Sequence, residues 1–121
     1  MKVVLDTNFL IDAMRFKIDL DEIRHIAPEP CLLFTLTSVV KELERISRRK
    51  TRPSLYARAA LKVQEAHGIR VINSSIQTDK ALLNLSKSYA IATNDRQLRK
   101  AIKALGGKTI YLKSKKHLAI G

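Results

Sequence analysis

Apolar and polar positions along the chain follow two rhythms. Val3-Val4-Leu5 and residues 31–36, 69–72, 90–93 and 109–112 are short, largely apolar runs rich in β-branched side chains and leucine, and they read as strands. Between them the apolar residues recur at helical spacing: Val39, Val40, Leu43 and Ile46; then Leu82, Leu83 and Leu85; then Leu98, Ala101, Ile102 and Leu105. Thr7 or Asp6 is placed to cap a helix beginning near Asn8, Thr37 or Ser38 to cap the next, and Thr78 a later one. Pro28 and Pro30 delimit the second strand. The basic segment 48–52 ends at Pro53, where a helix breaks, and a further helix runs from about Ser54 to His67 and stops at Gly68. Gly106-Gly107 terminates a helix over 96–105.

Apolar strands separated by helices imply βαβ crossovers. The expected fold is α/β: a three-layer α/β/α sandwich with a mostly parallel central sheet of about five strands, in one domain over 1–121. Such sheets bind ligands beyond the carboxyl ends of their strands.

Composition narrows the picture. The chain has 121 residues, 45% of them hydrophobic, enough for one core and against disorder. Cys31 is the sole cysteine, which excludes a disulfide framework and a four-cysteine zinc site and fits a reducing compartment. No apolar run approaches the ~20 residues that span a bilayer, and Asp6 interrupts any signal-peptide core, so a soluble cytoplasmic protein is expected. The net charge of +12 is uneven: residues 61–121 carry twelve basic and three acidic side chains. A surface this positive invites a polyanion.

Four of the acids fall at strand-to-helix junctions. Asp6 ends the first strand, Glu42 lies in the first turns of the helix after the second, Asp79 opens the helix after the third, and Asp95 follows the fourth. Leu82 and Leu83, three and four positions beyond Asp79, place its side chain towards the covered side of its helix. In a parallel sheet these junctions share one edge. Two carboxylates ~4 Å apart repel by ~4 kcal/mol at an effective dielectric of ~20, so four together need raised pKa values or a cation. Hard oxygen donors without nearby His or Cys select Mg²⁺ or Mn²⁺. Taken singly, Asp79 and Asp95 also suit simple helix caps, and Glu42 an ion pair with Arg45 or Arg49. Asp6 is harder to assign to a cap alone, because a charge directly after a buried strand is costly. Asp12, Asp19, Asp21, Glu22, Glu29, Glu44 and Glu65 read as solvated.

The segments Val3-Val4-Leu5-Asp6-Thr7-Asn8, Thr37-Ser38-Val39-Val40-Lys41-Glu42-Leu43, Thr78-Asp79 and Ala92-Thr93-Asn94-Asp95-Arg96-Gln97-Leu98 resemble, in order and approximate spacing, the motifs of the PIN-domain ribonucleases. The resemblance covers nearly the whole chain. It implies hydrolytic endonucleolytic cleavage of single-stranded RNA with one or two Mg²⁺ or Mn²⁺ ions, water being the nucleophile. Asp6, Glu42, Asp79 and Asp95 match the family's catalytic, metal-binding acids, and Asn8 and Thr93 the polar residues that support them. Many relatives carry two adjacent acids where this chain has Thr78-Asp79, one carboxylate fewer. The stretch from Thr93 to Leu118 is similar to small archaeal PIN proteins related to the small-subunit processome nuclease, which implies ribosomal RNA maturation and a pre-ribosomal particle as partner. VapC-type toxins share the motifs and imply instead an antitoxin. A homodimer is common in the family.

Two cationic stretches flank the acidic motifs. Arg45, Arg48, Arg49, Lys50, Arg52 and Arg58 follow one another with no acid between them, and from Arg96 to Gly121 eight Lys or Arg occur with none. Arg96, Arg99, Lys100 and Lys103 form one helical stripe opposite the apolar one. Arg45, Arg48, Arg49, Arg52, Arg96, Arg99 and Lys100 are therefore the candidate RNA contacts. Tyr56, Tyr89, Tyr111, Phe9, Phe16 and Phe34 fit core or partly buried positions, which favours recognition of the RNA backbone over base stacking. His25, His67 and His117 read as surface residues, and Lys115-Lys116-His117 as a solvated end. A PIN module that binds RNA without cleaving it is the rival from another class. A nucleotide-binding protein fits less well, because no glycine-rich loop follows Leu5.

Overall fold

The computed structural model describes residues 1–27 and 30–121. The expected boundary at Pro28 and the solvated Glu29 lie outside the described residues. The elements, in chain order, are β1 (Lys2–Leu5), α1 (Thr7–Arg15), α2 (Glu22–Ile26), β2 (Leu32–Leu36), α3 (Thr37–Ser47), α4 (Arg52–Ala66), β3 (Arg70–Ile72), α5 (Thr78–Leu85), β4 (Ala90–Ala92), α6 (Arg96–Ala104), β5 (Thr109–Lys113) and β6 (His117–Ile120). Among the described residues, six strands form one sheet in the order β3-β2-β1-β4-β5-β6. The first five are parallel, and only β6 runs antiparallel, against β5.

The layering follows from the order of travel. From β1 the chain steps to β2 and then β3, towards one edge; it then returns to β4 and moves on to β5, towards the other. Right-handed crossovers in opposite directions put their helices on opposite faces. Accordingly α1, α3 and α4 pack on one another, while α5 packs on α6. With both faces covered, the central strands are apolar without alternation: Val3, Val4, Leu5, Ile91 and Ala92 have no exposed surface. The reversal falls between β1 and β4, the position where open α/β sheets place ligands.

Several junctions depart from the sequence reading. Asp6 caps α1, but Thr37 does not cap α3: its hydroxyl donates to the Ser74 carbonyl (3.2 Å) and accepts from the Ser74 amide (3.0 Å), tying the start of α3 to the loop that follows β3. Gln77, not Thr78, caps α5. Pro53 opens a helix, sitting in the first turn of α4 where its missing N–H has no helical partner to lose.

The sheet also gains a sixth strand. Ser114 and Lys115 take left-handed backbone conformations (φ 56° and 58°) and reverse the chain, so β6 pairs with β5 instead of forming the solvated end expected of Lys115-Lys116-His117. No Gly or Asn marks that turn, which is why it is silent in the sequence. The short helix α2, packed against β6, is likewise absent from the apolar pattern.

Ile91 is fully buried in the central strand β4, so Ile91→Ala should lower the unfolding free energy by about 2–5 kcal/mol. Leu55→Ala, at a side chain 60% exposed, should change it by less than about 0.5 kcal/mol. Urea denaturation of the two variants measures both.

Candidate active site

Asp6 is the centre of the site. It follows β1, continues the ladder through its own amide to the Ala92 carbonyl of β4 (2.9 Å), and is buried. Its Oδ1 accepts from the Thr7 amide (2.8 Å), and its Oδ2 accepts from the Thr93 hydroxyl (2.9 Å) and from Asn8 Nδ2 (3.3 Å). Three donors hold one carboxylate, yet burial outweighs them. Desolvation, with smaller contributions from the charges of Asp79 and Glu42, raises the Asp6 carboxyl from an ordinary 3.8 to about 6, against the opposing hydrogen bonds from Thr93 and Thr7.

Asp95 caps α6, accepting from the Leu98 amide (3.0 Å), and its own amide donates to the Thr93 hydroxyl (3.2 Å). Thr93 therefore joins the two acids through a single oxygen. Glu42 projects from α3 and Asp79 from α5, both exposed. Asp6, Glu42, Asp79 and Asp95 line one pocket of about 310 Å³ together with Thr7, Asn8, Gln77 and Thr78. Asp79 thus stands open to solvent at the pocket, not turned towards the covered side of its helix as the spacing of Leu82 and Leu83 suggests. The simple alternatives are narrowed: Glu42 makes no ion pair, the one salt bridge among the described residues being Arg24 with Asp21.

The donor set is all oxygen and all acidic, and burial leaves Asp6 reluctant to ionise alone; both properties suit a divalent cation. The four carboxylates are spread around the pocket and not clenched. Among the described residues only the exposed trio Asp19, Asp21 and His67 brings three ligand atoms within 4.8 Å of one another, and it shares no residue with this pocket.

A second layer of residues sets the first. The Asn94 amide donates to Asn8 Oδ1 (3.0 Å), Asn94 Nδ2 donates to Asp12 Oδ2 (2.9 Å), and Asn94 Oδ1 accepts from the Leu112 amide (2.8 Å). One side chain so ties α1, β5 and the loop after β4 around Asp6. Asp12, read above as solvated, is half-buried and engaged in this network. Its position four residues after Asn8, on the same face of α1, is the signal that could have marked it. Gln77 carries no signal in the sequence; Ser38, expected there as an alternative cap of α3, instead accepts from the Thr78 hydroxyl (2.8 Å), joining α3 to α5 beside the pocket.

Of the cationic residues, Arg45, Arg48, Arg49, Arg52, Arg96 and Lys100 are exposed, and Arg99 is half-buried. Arg49 lies beyond the end of α3, so only Arg45 shares that helix with Glu42. Arg52 opens α4 and lines a cleft with Asp12 and Arg15. Arg96, Arg99, Lys100 and Lys103 line a groove of about 240 Å³ along α6. No helix among the described residues is long and apolar enough to cross a membrane.

Comparison with known proteins gives a consistent picture. The family described as PIN like domain matches residues 3–115. Ribonuclease VapC4 of Methanocaldococcus jannaschii is 29% identical over 126 residues, covering 98% of this chain and 95% of that protein. Among solved structures, that of the PIN domain endonuclease Utp24 superposes with a TM-score of 0.80 at 20% identity, covering 98% of this chain and 90% of the other. A domain of a functionally unknown protein from Methanocaldococcus jannaschii superposes with a TM-score of 0.65 at 20% identity, covering 93% and 91%.

The raised Asp6 carboxyl makes stability depend on pH. The unfolded chain gives up this proton near pH 4 and the folded chain near pH 6, so between those values the folded state binds more protons and stability falls as pH rises. Without divalent cation, ionised Asp6 should cost up to about 3 kcal/mol at pH 7 relative to pH 4. Asp6→Asn cannot ionise, so it should gain on the wild type by that amount over the same interval. Thermal unfolding of both proteins in chelator at pH 4 and 7 measures this, and a pH-independent difference would contradict it.

Proposed function

The chain belongs to the PIN-like domain family, and from that premise we propose that it is a metal-dependent endoribonuclease hydrolysing phosphodiester bonds of single-stranded RNA. The observation that carries the reading is the meeting of Asp6, Glu42, Asp79 and Asp95, drawn from four separate junctions, at one pocket on the carboxyl edge of the sheet. These four acids would hold one or two Mg²⁺ or Mn²⁺ ions. When bound, such an ion neutralises charge developing on the phosphodiester and lowers the pKa of the attacking water.

The rest belongs to the chain's own residues. Thr93, Asn8 and the Thr7 amide fix the Asp6 carboxylate in one orientation, so that little rearrangement is needed as the substrate binds. Asp95, sharing Thr93 with Asp6, stays in register with it. Arg45, Arg48, Arg49, Arg52, Arg96, Arg99 and Lys100 contact the RNA flanking the cut. An RNA strand is drawn across the pocket by charge while the acids prevent phosphate from settling in it without a cation.

The resemblance to small archaeal PIN proteins supports a role in ribosomal RNA maturation, with a pre-ribosomal particle as partner. The likeness to VapC4 over 98% of the chain supports a second reading, a toxin ribonuclease held by an antitoxin. Purification of the tagged protein from its own cells separates them: pre-ribosomal particles support the first, a small acidic protein the second.

The enzymatic proposal is tested by incubating labelled single-stranded RNA with the protein and Mn²⁺ or Mg²⁺. Cleavage is expected to cease in chelator and to fall by about a hundredfold or more in Asp6→Asn, since several kcal/mol of charge stabilisation depend on the site and 1.36 kcal/mol is a factor of ten. RNA bound but left intact by the wild type would make this a binding module instead.

A further inference from the structure

Resting on the nuclease reading, we propose that the groove along α6 is a nucleotide subsite: Arg99, held against Tyr111, stacks a base of the RNA strand beside the cut, while Arg96, Lys100 and Lys103 bind its phosphates. The groove is lined by those four cations alone. None of them is neutralised, the salt bridge among the described residues being Arg24 with Asp21. No Asp or Glu side chain lines it.

Arg99 is unlike its neighbours. Its guanidinium carbon lies 3.5 Å from the centre of the Tyr111 ring, in van der Waals contact with the ring face, and its Nε is buried without a hydrogen-bond partner. A surface arginine ordinarily keeps its fork of donors in water or on a carboxylate. Here the side chain is half-buried and gives up hydration at Nε to rest on an aromatic ring of β5. Stacking on Tyr111 fixes the plane of the guanidinium, and the side chain still lines the groove. Nucleobases stack on guanidinium planes as they do on aromatic rings.

The position suits a strand leaving the acidic pocket. Asp95, which lines that pocket, caps α6; Arg96 comes next, and Arg99 lies three residues, about 4.5 Å, further along the axis. Lys100 and Lys103 continue the same stripe. Tyr111 is thereby given a part in recognition, although it never touches RNA itself, and base stacking enters a site whose sequence favours backbone contacts alone.

The test uses the full chain carrying Asp6→Asn, so that RNA binds without being cut. Two probes are compared by fluorescence anisotropy: a single-stranded RNA 10-mer and an abasic 10-mer with the same phosphates. Arg99→Lys keeps the charge and loses the plane; it should weaken the RNA about tenfold, leave the abasic strand within about twofold, and leave the salt dependence unchanged. Tyr111→Leu keeps every charge and should reproduce that base-dependent loss. Lys100→Ala should weaken both strands and reduce the slope of log affinity against log salt by about 0.7. Arg99→Lys weakening both strands equally, or neither, overturns the subsite. Circular dichroism verifies that each variant is folded. The nuclease reading fails separately, if the wild type does not cleave the RNA 10-mer with Mg²⁺ or Mn²⁺, whatever the variants bind.

Discussion

Burying the Asp6 carboxylate at the end of a fully apolar strand is the constraint from which the site follows. Val3, Val4 and Leu5 are wholly covered, and the next residue carries an acid that the same core excludes from water. Three hydrogen bonds hold it, and they do not compensate for desolvation. What keeps the residue in place is the sheet: its amide pairs with Ala92 across the β1–β4 reversal, so the backbone cannot carry the side chain outward without giving up the central ladder. A group so placed is poised to accept a cation, because a cation relieves the same penalty that raises its pKa.

The surrounding polar network reads as support for that one placement. Thr93 gives its hydrogen to Asp6 and accepts from the Asp95 amide, and Asn94 fastens Asn8, Asp12 and β5. All but the Asp95–Thr93 bond join separate segments of the chain, so the geometry of the pocket depends on α1, β5 and the β4–α6 connection together. Glu42 and Asp79, in contrast, are exposed, and their helices are joined by the hydroxyl bridge from Thr78 to Ser38. The pocket thus combines acids held in a hydrogen-bond network, Asp6 and Asp95, with acids exposed to solvent, Glu42 and Asp79.

Charge is distributed to match. The acids are gathered at the sheet edge, and the cations lie along α6, in the segment from Arg45 to Arg52 and around the ends of the helices. In α6 the two meet within one element: Asp95 at its N-terminus faces the pocket, while the outward stripe beyond it is wholly basic. A single amphipathic helix accordingly packs the core through Leu98 and Ile102, presents an acid to the site and carries a basic stripe along its outward side.

Much of this was legible one residue at a time. Strand and helix types come from local periodicity, and the four acids with Asn8 and Thr93 stand out because they sit where an apolar run turns into a helical one. Boundaries went astray where side chains found distant partners: Thr37 bonds Ser74 in place of capping its helix, and Ser114 and Lys115 adopt a left-handed turn that only pairing of β6 with β5 supports. Asp12 reads in the sequence as a solvated acid and Arg99 as one cation of a basic stripe, since the carboxylate's tie to Asn94 and the guanidinium's contact with Tyr111 join segments far apart along the chain. Periodicity and residue identity are properties of neighbours along the chain, and a sequence states them outright. Burial, shared hydrogen bonds and the stacking of α6 on β5 are properties of segments many residues apart, and they exist only once the crossover at β1 and β4 has brought those segments to one edge.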